Sequence, residues 1–314
     1  MAGLEGKRAI GVEFIRKGKL VRIHADREVI LSAGAFNTPQ LLMLSGIGDP
    51  EVLHRFGIEV TAELTGVGRN LQDHLDCSIQ YECTQPITFY DFERPFHRLK
   101  AGLEYMLLGT GPATGQGLEA GAYLKSDPGL AIPDLQFHFI AALMFDHTRK
   151  KADRHGFMAH ACQLRPSSRG YISLKSDDPL AAPLIQPDYL SAEGDIAVLR
   201  QGVKIAREVF AQSAFDPYRG PELMPGAAVR HDAEIDAFIR KSAETIYHPA
   251  GTAKMGVDGT SVVDTALRVY GVDGLRVADA SVMPVLVSGN TNAPVIMIAE
   301  KAADLILGRS ALPA

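Results

Sequence analysis

The sequence has no tryptophan and only three cysteines among its 314 residues. Cys77, Cys83 and Cys162 are odd in number and show no C-x-x-C spacing. This pattern argues against a disulfide framework and a cysteine zinc site, and it makes a reducing compartment the default. Residues 1–8 also lack the apolar run of a signal peptide. We therefore expect a cytoplasmic protein.

An excess of positive charge is also missing. Lysine and arginine number 32 against 37 aspartate and glutamate residues, so the formal net charge is −5 and the pI is about 6.1. Nucleic-acid binding requires a clustered basic surface that neutralises phosphates. We expect a small-molecule ligand and no nucleic acid.

The chain lacks an uninterrupted apolar segment of membrane-spanning length. Residues 280–299 carry no charged side chain, but they include two prolines, one glycine and two asparagines. Such residues are unfavourable in a helix that must satisfy every backbone hydrogen bond within lipid. No integral membrane segment is expected.

The composition is otherwise that of a globular protein, with 46% hydrophobic and 22% charged residues. The pattern predicts an α/β (α+β) fold in three segments, residues 1–75, 76–245 and 246–314. The last segment resembles the first in style, with short strands, small-residue turns and a helix. The middle segment alternates polar and apolar residues in short runs.

In residues 1–75, the apolar run at 29–31 predicts a strand that leads through a small-residue turn, 32–34, into a helix. Thr38 is the predicted N-cap of this helix, Pro39 its first residue, and Gly46 its end. Such a turn allows backbone N–H groups to approach a phosphate or a cofactor ring, although a plain strand–helix connection fits equally well.

In residues 76–245, the alternating runs at 77–81, 136–140 and 170–174 predict an antiparallel sheet. Two amphipathic helices accompany it. One predicted helix buries Ile196, Leu199, Val203, Ala206 and Phe210, and the other buries Ile235, Phe238 and Ile239 after a cap at Asp232.

In residues 246–314, a short strand at 275–278 is followed by a helix with an apolar stripe. Thr291 or Asn292 is expected to cap this helix, with Pro294 in its first turn. Asn290 then lies just before a helix amino terminus, where the partial positive charge favours a developing anion.

His248 and Asn290 are the candidates for a reaction centre. Each lies in a turn-rich loop at the edge of apolar elements. A histidine base and a neutral amide in such positions provide what an enzyme needs to take a proton from a hydroxyl and hold the oxygen. A histidine before proline is more often a packing residue, so the neighbouring motifs decide whether His248 is a candidate for catalysis.

Four long motifs carry a resemblance to the FAD-dependent glucose–methanol–choline (GMC) oxidoreductases, in particular to their alcohol and choline dehydrogenase branch. They are EVILSAGAFNTPQLLMLSGIG at 28–48, GVGRNLQDH at 66–74, HPAGTAKMG at 248–256, and LRVADASVMPVLVSGNTN at 275–292. The resemblance covers nearly the whole chain and is loosest between residues 85 and 160.

The resemblance implies oxidation of a primary alcohol, choline or another, to an aldehyde, with hydride passing to FAD. It implies that His248 accepts the alcohol proton and that Asn290 hydrogen-bonds the substrate oxygen. Residues 1–75 and 246–314 would form part of a doubly wound FAD-binding domain, and residues 76–245 an antiparallel-sheet substrate-binding domain with helices. The implied cofactor contacts are Ser32, Ala33, Gly34, Asp279, Ala280, Thr291 and Asn292.

Other histidines are weaker candidates. His74 follows Asp73, which could suggest a metal site or an Asp–His dyad, but the resemblance favours a structural loop beside the cofactor. The remaining histidines show no zinc-ligand spacing. No metal site is expected.

The chain departs from the family pattern in one respect. Family members begin with a strand and a G-x-G-x-x-G turn that approaches the FAD pyrophosphate, and no such motif occurs here. Two interpretations stay open: a flavin-dependent alcohol dehydrogenase or oxidase, or a catalytically inert, truncated fragment that cannot hold FAD by itself. The residues specify neither the electron acceptor nor the oligomeric state.

Overall fold

The structure is a computed structural model that describes residues 1–115, 117–145, 149–150 and 152–309. Internal contacts divide the chain into two compact units. Unit 1 comprises residues 1–74, 165–191 and the described residues from 247 onward, and unit 2 comprises residues 75–164 and 192–246. Residues 165–191 therefore cluster with unit 1, although the sequence placed them in the middle segment.

The elements follow one another along the chain in a mixed order. The strands are β1 (Ala2–Glu5), β2 (Arg8–Arg16), β3 (Lys19–His24), β4 (Val29–Leu31), β5 (Ile47–Gly48), β6 (Ala62–Glu63), β7 (Leu75–Cys83), β8 (Ala120–Leu124), β9 (Leu135–Ile140), β10 (Gly156–Gln163), β11 (Tyr171–Ser173), β12 (Leu184–Gln186), β13 (Arg219–Met224), β14 (Glu244–Thr245) and β15 (Leu275–Val277). The helices are α1 (Gly34–Leu44), α2 (Pro50–Arg55), α3 (Pro95–Leu108), α4 (Glu193–Phe210), α5 (Asp232–Ser242) and α6 (Asn292–Leu307). Short 3-10 turns lie at Phe89–Glu93, Pro112–Thr114, Ser213–Phe215 and Ala280–Val282.

Unit 1 combines parallel and antiparallel pairs. Strands β1, β2 and β3 form an antiparallel sheet, and β11 pairs with β12 in the same sense. Strand β15 pairs in parallel with β4, and β6 pairs in parallel with β5. Because β4 and β15 run in the same direction, the turns that follow them lie at the same edge.

The apolar core of unit 1 joins residues that are distant in sequence. It includes Leu31, Leu42, Ile172, Val262, Val277 and Ala302, each buried. Helix α1 contributes Leu42 and helix α6 contributes Ala302, so both helices pack on the same core. This packing fixes where the amino termini of the two helices lie.

Helix α1 begins earlier than the sequence predicts. Its N-cap position is Ala33, so the prediction that Thr38 caps it is wrong. The Thr38 hydroxyl instead accepts the Ala33 N–H at 3.1 Å and donates to Asp279 at 2.6 Å, which uses its hydrogen-bonding capacity inside the helix. The predicted end is confirmed: the helix stops two residues before Gly46, whose φ is 78°.

Helix α6 begins as predicted. Thr291 occupies its N-cap position and Pro294 lies in its first turn. The Thr291 side chain makes no capping hydrogen bond. Within the described residues, no helix is both long enough and apolar enough to cross a membrane.

Unit 2 is built on the antiparallel sheet that the alternating runs predict. Its strand order is β13-β7-β10-β9-β8, and β14 also pairs with β7. The predicted runs at 77–81 and 136–140 fall within β7 and β9, whereas the run at 170–174 contains β11 of unit 1.

One face of this sheet is apolar. Helix α4 packs on β7, β9 and β10 and buries Ile196, Leu199, Val203, Ala206 and Phe210, as predicted. Phe210 contacts Tyr81 and Phe157 of the sheet edge to face, with ring centroids 5.2 Å apart in both pairs. Strand alternation places Asp76, Ser78 and Gln80 on the opposite, polar face.

The N-cap predicted for helix α5 is also wrong. Asp232 is its first residue and His231 occupies the N-cap position. The Glu234 carboxylate accepts the N–H groups of His231 at 2.9 Å and Arg230 at 2.7 Å. Glu234, the third residue of the helix, thus binds the N–H groups of the N-cap residue and of the residue before it. Asp232 is not the cap.

Candidate active site

His248 lies in a loop whose main chain is tightly restrained. Tyr247 before it has a φ of 66°, a conformation that is uncommon for a residue other than glycine. Pro249 after it restricts the backbone of His248 to the extended region. The His248 N–H donates to Asp73 Oδ1 at 2.9 Å, and the Tyr189 hydroxyl donates to Asp73 Oδ2 at 2.5 Å. The buried Asp73 carboxylate therefore holds the main chain of His248.

His74 contacts the side chain of His248. The two Nδ1 atoms are 2.9 Å apart, and the rings meet edge to face with centroids 5.1 Å apart and planes at 81°. His74 is fully buried, whereas His248 is half-buried. Sequence reasoning assigned His74 to a structural loop and did not pair it with His248. The available signal was the polar Q-D-H sequence directly before strand β7.

The surroundings of His248 favour its neutral form. Burial lowers the pKa of His248, and the Asp73 carboxylate opposes this effect only in part. A histidine whose pKa lies below its ordinary value of about 6.5 is neutral at pH 7. The ring therefore has a lone pair that can accept a proton, as a general base requires.

The loop after His248 packs closely on residues 70–72. Gln72 and Ala250 exchange two backbone hydrogen bonds of 3.0 and 2.9 Å. Gly251 has a φ of 91°, and a Cβ atom at this position would lie 2.6 Å from the Asn70 carbonyl oxygen. Only glycine fits such an approach. This contact explains the glycine of the HPAGT motif.

Asn290 lies in an exposed part of the segment that leads into α6. The Gln72 side chain holds this segment, because its Nε2 donates to the Pro284 carbonyl at 3.2 Å and its Oε1 accepts the Leu286 N–H at 3.1 Å. Residues 72–74 thus contact both the segment leading to Asn290 and the loop of His248.

The structure brings most of the predicted cofactor contacts to one edge. Residues 32–34 follow β4, and Asp279 and Ala280 follow its parallel neighbour β15. Gly34 has a φ of 80°, and a Cβ atom there would meet no other atom within 4 Å. The turn is therefore open on the side to which Gly34 points.

Asp279 joins the two strand ends. Its Oδ2 accepts the Gly34 N–H at 3.0 Å and the Thr38 hydroxyl at 2.6 Å, and its Oδ1 accepts the Ser281 N–H at 2.8 Å. Three hydrogen bonds from the protein occupy this buried carboxylate. The geometry thus gives Asp279 a structural task that the sequence did not indicate.

Two features of unit 1 would suit a flavin dinucleotide. The turn at 32–34 is open, and at the amino terminus of α6 the Thr291 side chain makes no capping hydrogen bond. Helix amino termini carry partial positive charge and favour anionic groups. The buried Ser281 hydroxyl has no hydrogen-bond partner among the described residues.

No metal centre competes with this interpretation within the described part of the chain. No group of three or more histidine, cysteine, aspartate or glutamate side chains is arranged there to hold a metal ion. Cys77, Cys83 and Cys162 are buried free thiols.

Comparison with known proteins identifies relatives for both sequence and structure. Choline dehydrogenase from Homo sapiens, a mitochondrial protein, is 50% identical over 98% of this chain and 52% of its own length. Oxygen-dependent choline dehydrogenase 1 from Chromohalobacter salexigens is 48% identical over 98% of this chain and 56% of its own length. The chain thus spans little more than half the length of these relatives.

The solved structures agree with the sequence relatives. An FAD-dependent oxidoreductase from Chaetomium thermophilum superposes with a TM-score of 0.85 at 27% identity, covering 98% of this chain and 60% of that one. This match confirms the predicted mixed α/β fold.

Two sequence profiles of one family match separate parts of the chain. Both are described as GMC oxidoreductase; one matches residues 2–76 and the other matches residues 166–299. These ranges contain all four motifs of the resemblance. The chain therefore belongs to the GMC oxidoreductases.

Proposed function

We propose that this chain provides the alcohol-oxidising site of an FAD-dependent oxidoreductase, and that its substrate is a primary alcohol of the choline type. One observation carries the proposal: His248 is a half-buried histidine whose main chain is held by Asp73 and whose ring contacts His74, and burial lowers its pKa. Such a group is suited to accept the hydroxyl proton of an alcohol.

The residues that would hold FAD are those at the shared edge of β4 and β15 and at the start of α6. They are Ser32, Ala33, Gly34, Asp279, Ala280, Thr291 and Asn292. When bound, the flavin supplies the hydride acceptor that the oxidation of an alcohol to an aldehyde requires. The partial positive charge at the α6 amino terminus would favour negative charge on its ring.

His248 and Asn290 have different roles in the proposed reaction. His248 accepts the hydroxyl proton of the substrate, so that the oxygen develops negative charge while the carbinol carbon loses hydride. Asn290 carries no titratable proton, and its amide donates a hydrogen bond to that oxygen and orients it. The oxygen then becomes the carbonyl oxygen of the aldehyde.

The names of the relatives support the choice of a choline-type alcohol. Both relatives compared above, 50% and 48% identical to this chain, are choline dehydrogenases. A quaternary ammonium ion cannot donate a hydrogen bond, so a site for it would recognise its charge.

The cytoplasm is the proposed location. The three buried thiols form no disulfide, which suits a reducing compartment. Fluorescence microscopy of the natural protein carrying a tag tests this part of the proposal, and accumulation in an organelle or an extracellular fraction would contradict it.

The first experiment measures whether the purified chain holds FAD and reduces it with choline under anaerobic conditions. The expected result is a flavin absorbance spectrum that is bleached by choline. His248→Ala should retain the flavin and lose at least about 100-fold in reduction rate, since a general base contributes about that much or more. His24→Ala, an exposed exchange in the same unit, serves as the control. Full-rate reduction by His248→Ala would refute its role.

The same preparation discriminates the alternative of an inert chain. That alternative rests on the lack of a G-x-G-x-x-G turn in the sequence. It predicts that no flavin is bound to the protein at any FAD concentration tested, and that choline causes no bleaching. A flavin-loaded, choline-reducible preparation would exclude it.

A second experiment tests the substrate class. Choline is compared with 3,3-dimethylbutan-1-ol, which has the same shape without the charge. A site for a choline-type cation predicts a KM for choline at least about tenfold below that for the neutral alcohol, which corresponds to roughly 1.4 kcal/mol of binding. Equal KM values for both alcohols would show that the site does not recognise the cation.

A further inference from the structure

The contact between His74 and His248 restricts where protons reside on both rings. The two Nδ1 atoms are 2.9 Å apart, which is a hydrogen-bond distance. A hydrogen bond between two ring nitrogens contains one proton, and a neutral imidazole carries one N–H. The pair therefore has two neutral arrangements, in which either His248 or His74 is the Nδ1 donor.

Only one arrangement leaves His248 able to act as a base. If His74 donates, the Nδ1 of His248 is the acceptor and its single proton lies on Nε2, so neither nitrogen offers a lone pair to a substrate. If His248 donates through Nδ1, its Nε2 is unprotonated and faces away from His74. Uptake of a proton at Nε2 then leaves the Nδ1 hydrogen bond intact, and the bond stabilises the cation.

Neighbouring residues oppose a change of ring orientation. Asp73, adjacent to His74, accepts the main-chain N–H of His248 and is itself held by the Tyr189 hydroxyl. His74 is fully buried. His248 is thus held at its main chain and its ring by two consecutive residues, and a flip of the ring would break the contact between the Nδ1 atoms.

We propose that His74 is a positioning residue that accepts a hydrogen bond from Nδ1–H of His248 and thereby keeps Nε2 of His248 unprotonated and available to the substrate hydroxyl. This assignment rests on the proposed function, because it presumes that His248 is the base. It adds a residue that acts through His248 and does not itself contact the alcohol. The corresponding tautomer of His74 carries its proton on Nε2.

The tautomers are measured directly by long-range ¹H–¹⁵N NMR on the folded chain labelled at its histidines, with no need for FAD. The signals of the pair are assigned from His74→Asn and His248→Asn, and His24→Asn marks an exposed histidine. The expected spectrum shows a protonated Nδ1 and an unprotonated Nε2 for His248, and the opposite for His74. A protonated Nε2 on neutral His248 would overturn the proposal.

Two substitutions at position 74 separate hydrogen bonding from packing. His74→Asn keeps an oxygen acceptor near the position of Nδ1, whereas His74→Leu fills the space without one. In FAD-loaded enzyme, His74→Leu should reduce flavin at least about 100-fold more slowly, since a wrong tautomer of a catalytic histidine is costly. His74→Asn should restore most of the rate, within about tenfold of the wild type. Equal losses with Asn and Leu would indicate a packing role alone.

The two proposals fail in different ways. If His248→Ala reduces flavin at the wild-type rate, the proposed function fails even when NMR shows the expected tautomers. If His248→Ala is inactive but NMR finds the proton of His248 on Nε2, only the role of His74 fails.

Discussion

Thr252 repairs the hydrogen-bond gap that Pro39 creates in helix α1. Pro39 lies inside the helix and has no N–H to donate to the Ala35 carbonyl four residues earlier. The fully buried Thr252 hydroxyl donates to that carbonyl at 2.6 Å. Because Thr252 lies four residues after His248, this bond also ties the loop of the proposed base to the helix that follows the turn at 32–34.

The Thr252 bond predicts a difference between two substitutions. Thr252→Val keeps the shape of the side chain and removes the donor, which leaves a buried carbonyl unpaired. We expect the free energy of unfolding to fall by about 1–3 kcal/mol, as measured by denaturant unfolding. Thr252→Ser keeps the hydroxyl and should lose less. A Thr252→Val variant as stable as the wild type would show that this hydrogen bond does not stabilise the fold.

Asp279 should stabilise the junction between the ends of β4 and β15. Asp279→Asn places an NH₂ group against at least one of the donors Gly34 N–H, Thr38 O–H and Ser281 N–H. We expect a loss of about 2 kcal/mol in the free energy of unfolding. Asp304→Asn on the partly exposed side of α6 is the matched control. If Asp279→Asn were as stable as this control, the three hydrogen bonds would not stabilise the junction.

The acidic limb of the pH–rate profile for flavin reduction should report the titration of His248. Because burial lowers the pKa of His248, the base is deprotonated at neutral pH, and the rate should decline only below pH 6.5. The Asp73 carboxylate raises this pKa, so Asp73→Asn should move the limb to still lower pH. Asp26→Asn, an exposed exchange in unit 1, should leave the limb in place. A limb that moved upward in Asp73→Asn would contradict this electrostatic assignment.

The buried Asp76 carboxylate lies 2.7 Å from the Nδ1 atom of His160. This pair should stabilise unit 2 in a pH-dependent manner. Burial alone would lower the pKa of His160, but the Asp76 carboxylate and Glu244 outweigh it and the pKa is raised. A raised histidine pKa contributes stability that is fully present below pH 6.5 and is lost as the pH rises through the folded-state value. The stability difference between wild type and Asp76→Asn should therefore shrink on the alkaline side.

A matched control for this pH effect is Asp236→Asn. Asp236 pairs with Arg200 through two contacts of 2.6 Å, and arginine stays charged over the whole range. The cost of Asp236→Asn should not change between pH 6 and pH 9. If both variants showed the same pH profile, titration of His160 would not be its cause. Urea denaturation at each pH measures the unfolding free energies of the wild type and of both variants for this comparison.

Local patterns predicted the elements well where their periodicity was clear. The buried face of α4, the end of α1 near Gly46 and the N-cap position of α6 were predicted from apolar spacing and turn residues. The starts of α1 and α5 were wrong. In α1, Thr38 bonds to Asp279, 241 residues away, and a local pattern does not include such a partner.

In the candidate site, too, local motifs were informative and contacts between distant residues were not. His248, Asn290 and the turn at 32–34 could be proposed as site residues from the sequence, because their motifs are long and contiguous. The partners that hold them were not, since Asp73 and His74 lie 175 and 174 residues from His248. His74 was therefore interpreted as a loop residue.

The sequence by itself determined the family, the alternation of strands and helices, and the residues proposed for the chemistry, because these follow from contiguous motifs and local periodicity. Only the tertiary structure decided which side chains meet. It paired His74 with His248, used Asp279 to join two strand ends, and placed Thr252 opposite the gap left by Pro39. Hydrogen bonds between distant segments depend on how the core packs, and no window of sequence contains both partners.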